Sequence, residues 1–207
     1  MFAFANHQRV IPPAVRFLAG LFLLLWIPIY WRAWGFENFF FLCDIALFLG
    51  CIGLVIESPL LISSQAISIL ITSFFWIIDA GWRLIFGHTL LGVTDYMFDA
   101  KHPLWLRLIS LFHLVLPLVL LWALNRIGYD RRAFRFQCGV AIFALLAARA
   151  SGSSQNINYA YRDPIFRRQL GPVPVHLALI FLAVAVVFYL PPHLLLRKCF
   201  APPRGTA

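Results

Sequence analysis

Residues 38–56 read NFFFLCDIALFLGCIGLVI. The run is long and apolar enough to cross a bilayer, yet it carries the carboxyl of Asp44 beside the thiol of Cys43. A helix needs about 20 apolar residues to cross the hydrocarbon. An ionisable group at that depth is expensive and normally faces a partner or a hydrated cavity. Reading outward from this stretch therefore means asking what Asp44 meets.

The chain of 207 residues is 62% hydrophobic and 12% charged. A soluble domain has about a quarter of its residues charged. The apolar residues also fall in long blocks, which predicts an all-α, polytopic transmembrane helix bundle forming one domain. The expected spans are Ala14–Trp31, Asn38–Ile56, Pro59–Asp79, Leu104–Leu124, Phe134–Ala148 and Val175–Leu190. Glu57-Ser58-Pro59 reads as a tight hairpin with Glu57 solvated, and Pro191-Pro192 closes the last span. The first apolar block ends in Tyr30-Trp31-Arg32 without a small-residue cleavage site, so no cleaved leader is expected. The four cysteines show no zinc or redox spacing, and no metal or cofactor is expected.

The net charge of +9 does not signal nucleic acid, because the basic residues sit at span ends and in loops. There they anchor topology and meet lipid headgroups. The expected partners are membrane lipids, and a second copy or a membrane partner is compatible with the composition. With the N-terminus inside, nine Lys and Arg fall inside, Arg9 and Arg204 among them, and eight outside. The tight cluster Arg126–Arg135 favours both termini inside. The expected location is the bacterial cytoplasmic membrane.

Alternating spans bring Asn38, Asp79 and Leu104 to one side, here the A side. From it Asp44 lies roughly 9 Å deep and His113 roughly 14 Å deep, at 1.5 Å per residue. The loops 81–103 and 156–161 open on the same side. On span two, Cys43, Ala46, Gly50 and Gly53 form a stripe of small residues that admits another helix closely. On span three, Gln65, Ser68, Thr72, Trp76 and Asp79 form a polar face that avoids lipid. Pro117 cannot donate to the carbonyl of His113, which predicts a kink in span four.

These placements define a candidate site. His113 is the candidate general base, Asp44 its orienter, and Cys43 or a water the nucleophile. Asp79, Asn156, Asn158 and Tyr159 are candidate substrate-binding groups. The plainer readings are that Cys43 packs in the small-residue stripe, that Asp44 and His113 lock two helices, and that Asp79 pairs with Arg83. The run Asp95–His102, with His88 nearby, carries oxygen and nitrogen groups of the kind that ligate a metal, but the spacing matches no established site, and the run reads as a lid or an interfacial helix. Gly128-Tyr129-Asp130-Arg131-Arg132 reads as a basic stop signal and anionic-lipid contact.

The residues FLCDIALF, DYMFD, FHLVLP, GYDRR and QNINYAY resemble a bacterial family of uncharacterised six-span membrane proteins, over about Phe36–Tyr161. Spans two to four are also similar to intramembrane lipid hydrolases of the androgen-induced-protein type and to cysteine-dependent lipid acyltransferases. Those pair a Thr or Cys on an early helix with a His on a later one. That similarity implies His113 as the His and Cys43 as the nucleophile, since span two contains neither Thr nor Ser. The expected function is an intramembrane hydrolase or acyltransferase on a lipid ester. The alternatives are a small transporter or ligand-binding protein using Asp44 and His113, and a non-catalytic partner subunit.

Overall fold

A computed structural model of the chain describes residues 10–152 and 155–203. Arg9 and Arg204, counted above for orientation, lie outside the described residues. The described chain forms six helices: α1 Pro13–Trp34, α2 Leu42–Ile56, α3 Pro59–Phe86, α4 Leu104–Ile127, α5 Ala133–Ser151 and α6 Val173–Cys199. All but α2 are long and apolar enough to cross a membrane. α2 has 15 residues, or about 22 Å at 1.5 Å per residue.

The bundle is organised around α3, which packs against α2, α4, α5 and α6. This helix also buries more polar side chains than any other described helix. It buries Ser63, Ser64, Gln65, Ser68, Ser73 and Asp79. Lipid offers these groups no hydrogen bond, so the helix carrying them is driven to the centre, where other helices can satisfy them. Gln65 Nε2 donates to Gln137 Oε1 of α5 at 3.2 Å, and Gln137 Nε2 donates to the Tyr189 hydroxyl of α6 at 3.3 Å. The outward faces are apolar: Phe17, Leu18 and Leu24 of α1, Leu118 of α4 and Leu182 of α6 are exposed.

The small-residue stripe does seat neighbouring helices. A Cβ on Gly53 would lie 3.2 Å from the backbone nitrogen of Ile62, so α2 and α3 touch backbone to backbone there. A Cβ on Gly50 would meet Leu116 and Leu120 of α4 at ordinary contact distance. At the hairpin between α2 and α3, Ser58 Oγ accepts from the Leu61 N–H and Pro59 takes the first helical position. Glu57 is not a free surface residue. It caps α2 in the left-handed region and accepts from the Ile11 N–H at 2.7 Å.

Several helix ends differ from the sequence expectation, each for a local reason. α2 begins at Leu42 because Phe36–Phe40 forms a 3-10 turn. α3 continues past Asp79 through Trp82 and Arg83 and stops only at Gly87, which takes a left-handed φ of 75°. α4 extends to Ile127 and α5 covers Ala133–Ser151. α4 stays helical through Pro117, and its irregular turn lies upstream, a 3-10 stretch at Ile109–Leu111. α6 runs through Pro191-Pro192 to Cys199. The turn before them widens to a π-helix at Val184–Tyr189. The widened turn accommodates two residues that cannot donate to the carbonyls one turn back.

Candidate functional site

Asp44 lies in the first turn of α2 and is only 4% exposed. The 3-10 turn before it brings Asn38 overhead, and Asn38 Nδ2 donates to Asp44 Oδ2 at 2.8 Å. The free N–H groups of a helix start also favour a carboxyl in that position. The deep acid of the sequence reading is thus a residue of a helix N-terminus.

His113 is buried on α4. Its Nδ1 lies 3.3 Å from Ser73 Oγ on α3. The imidazole stacks on Trp76, with centroids 5.0 Å apart and planes 11° apart, and on Phe112 at 4.3 Å. Trp76 Nε1 in turn donates to the Tyr96 hydroxyl at 3.1 Å. Tyr96 belongs to the 3-10 turn Asp95–Phe98, so the 88–103 segment rests on the ring that holds His113. One turn before His113, Ser110 Oγ lies 3.2 Å from the Tyr30 hydroxyl of α1.

Asp44 and His113 therefore sit under the same loops but on different partners. Among the described residues they share no hydrogen bond or ion pair. Cys43 is half-buried, forms no disulfide and makes no hydrogen bond with His113. Ser73 is the residue the sequence reading missed. It lies three positions before Trp76 but one position past Thr72, about 100° round the helix, so the polar spacing passed it by.

The expected binding residues act on the protein itself. Asp79 is 1% exposed and accepts from the N–H groups of Leu91, Gly92 and Thr94 and from the Thr94 hydroxyl, at 2.6 to 3.3 Å. It does not pair with Arg83, which bonds Asp95 instead. Asn156 Oδ1 accepts from the N–H groups of Tyr161 and Arg162, and its Nδ2 donates to the Arg162 carbonyl. Asn158 Oδ1 accepts from the Leu42 N–H at 3.0 Å, while its Nδ2 donates to the Phe40 carbonyl at 2.7 Å. α2 has no side-chain cap of its own, so Asn158 caps it from a distant loop. Asn158→Ala should lower stability by about 1 kcal/mol, as loss of a cap does, read as the melting shift of the purified protein.

The same loop is held from α6. His176 is fully buried, and its Nδ1 accepts from the Leu170 N–H at 3.1 Å. That fixes the proton on Nε2, which donates to the Tyr159 carbonyl at 3.0 Å. Tyr159, at φ 60°, is held in a left-handed conformation between these anchors. Asp163 closes the next turn. Burial would push its carboxyl up, but the N–H groups of Phe166, Arg168 and Ile165 outweigh it and hold it below the ordinary range.

On the opposite side, GYDRR is a corner of the fold. Tyr129 is buried with its hydroxyl 2.7 Å from His193 Nδ1. The Asp130 N–H donates to Ser63 Oγ at 2.9 Å. The Arg132 guanidinium grips the Asp130 carboxylate and holds it below the ordinary range.

Comparison with family models, curated proteins and solved structures finds no match for this chain. Its class rests on its own features: the protein is a multi-pass integral membrane protein built as an all-α bundle. Beneath its A-side loops lies a cluster of buried Asp, His, Ser and Tyr side chains.

Proposed function

We propose that the protein is an intramembrane hydrolase or acyltransferase acting on a lipid ester, with Ser73 as nucleophile and His113 as its base. The observation that supports this is the 3.3 Å approach of Ser73 Oγ to His113 Nδ1. A hydroxyl within hydrogen-bond reach of an imidazole is the minimal activated nucleophile. Two aromatic faces fix the ring that must receive the proton. Cys43 and Asp44 leave the mechanism, because neither touches His113.

In this reading His113 carries its proton on Nε2, and Nδ1 accepts the Ser73 proton as Oγ attacks the ester carbonyl carbon. The imidazolium then protonates the departing alcohol oxygen, leaving an acyl-serine. Water, or the hydroxyl of a second lipid, attacks the acyl carbon and passes its proton through His113 back to Ser73.

Purified full-length protein treated with an alkyl fluorophosphonate tests this. Wild type should be labelled, and Ser73→Ala and His113→Ala should each lower labelling at least about 100-fold. Cys43→Ala should keep its label. All three variants should stay folded by melting temperature. Labelling that survives Ser73→Ala would overturn the reading.

A second reading rests on Asp44, a buried acid with no Lys, Arg or His within ion-pair distance among the described residues. Such a group suits a proton or cation site. It predicts no labelling at all, with Asp44→Asn altering cation or proton flux in liposomes.

A further inference from the structure

Between α2 and α5 a groove of about 500 Å³ opens on the outer surface of the bundle. Phe48 and Leu49 form one wall, and Phe136 and Phe143 form the other. Arg135 stands at one end, in the first turn of α5. The floor is open at Gly139: a Cβ there would find no atom within 4 Å.

The lining selects the occupant. From Arg135 to Phe143 the α5 axis rises about 12 Å, and every lining residue other than Arg135 is apolar. An acyl chain lying along such a trough has no polar group that the walls would leave unpaired.

The charge selects the headgroup. Arg135 is exposed and has no acceptor among the described residues. Of its neighbours, Arg132 is held by Asp130, Arg126 lies over the Trp122 ring and donates to the Val10 carbonyl, and Arg131, exposed like Arg135, does not line the groove. The α4–α5 corner holds Arg126, Arg131, Arg132 and Arg135 against one acid, Asp130, so it attracts anions.

We infer that this groove is a binding site for one anionic phospholipid, its acyl chain lying over Gly139 and its phosphate on Arg135. This site is separate from the Ser73–His113 pair and stands whether or not that pair is catalytic.

The test uses full-length protein, delipidated in detergent and offered phosphatidylglycerol or phosphatidylcholine with identical chains. Retained lipid is counted by native mass spectrometry. Wild type should retain phosphatidylglycerol about fivefold over phosphatidylcholine, the factor expected of one basic side chain at the membrane surface. Arg135→Gln should abolish that preference, Gly139→Leu should lower retention of both lipids, and Arg131→Gln should change neither. Equal retention of the two lipids by wild type would overturn the site, as would a preference that survives Arg135→Gln. Should Gly139→Leu fail to fold, the surface variant Arg135→Gln decides the matter alone.

Discussion

Replacing Asp79 with Ala is expected to release the loop above the His113 cluster while leaving the bundle assembled. Four donors converge on that carboxyl, and two of them, the N–H and hydroxyl of Thr94, belong to a residue that is 1% exposed. Stranding a buried donor costs about 1–3 kcal/mol, more than the bond contributes when formed. The Leu91 N–H reaches water more easily, since Leu91 is half exposed, so the larger share falls on Thr94. A loss of about 3 kcal/mol should raise hydrogen exchange at the Thr94 amide about 100-fold, with little change at Ala66 and Ile67 in the middle of α3. Asp95→Ala is the control. It removes the exposed pair with Arg83, a kind of contact worth at most about 1 kcal/mol.

Gly128→Ala is expected to be the most damaging single substitution at the opposite end. Gly128 sits at φ 86°, ψ 170°, a conformation essentially reserved for glycine. A Cβ there would also lie 2.7 Å from the Pro202 carbonyl oxygen and 2.8 Å from the Pro203 Cα. Both are backbone atoms, held close because the Tyr129 N–H donates to the Ala201 carbonyl at 2.7 Å. Backbone strain of about 1–3 kcal/mol adds to an overpacking penalty of similar size. The sum, about 3–5 kcal/mol, should show as a large fall in melting temperature. Gly81→Ala should be neutral or mildly stabilising, because its Cβ would meet nothing within 4 Å on a helix. Removing residues after Ala201 from the Gly128→Ala protein keeps the acceptor of the Tyr129 N–H and should recover the steric share while leaving the conformational one.

How far the sequence reaches can be judged residue by residue. The six helices are legible because an apolar run in a bilayer has few alternatives to helix. Their ends are less so. Nothing in NFFF marks the 3-10 turn that delays α2 to Leu42, and the helix start after it is capped by Asn158, more than a hundred residues away. Pro191-Pro192 reads as a terminator, yet a π-turn of six residues absorbs both prolines. The polar cluster under the A-side loops was legible in outline: Asp44, His113, Asp79 and the loops they meet were all singled out. Their pairing was not. Neighbouring helix positions differ by about 100° in direction. The sequence reading put Thr72 on the polar face, while Ser73, one position on, is the residue that reaches His113. Thr72 instead bonds back to the carbonyls of Ser68 and Ile69 on its own helix. His176 carried no signal at all, since its partners, Leu170 and Tyr159, belong to a loop whose course no local pattern fixes.

The proposed chemistry reduces to one oxygen atom, and peptide mapping of the fluorophosphonate-treated wild-type protein examines it directly. The account predicts a single phosphonate adduct on Ser73, in the α3 peptide that carries Trp76 and Asp79. An adduct on Cys43 or on a surface serine, with Ser73 unmodified, would contradict it, as would no adduct at all in folded protein.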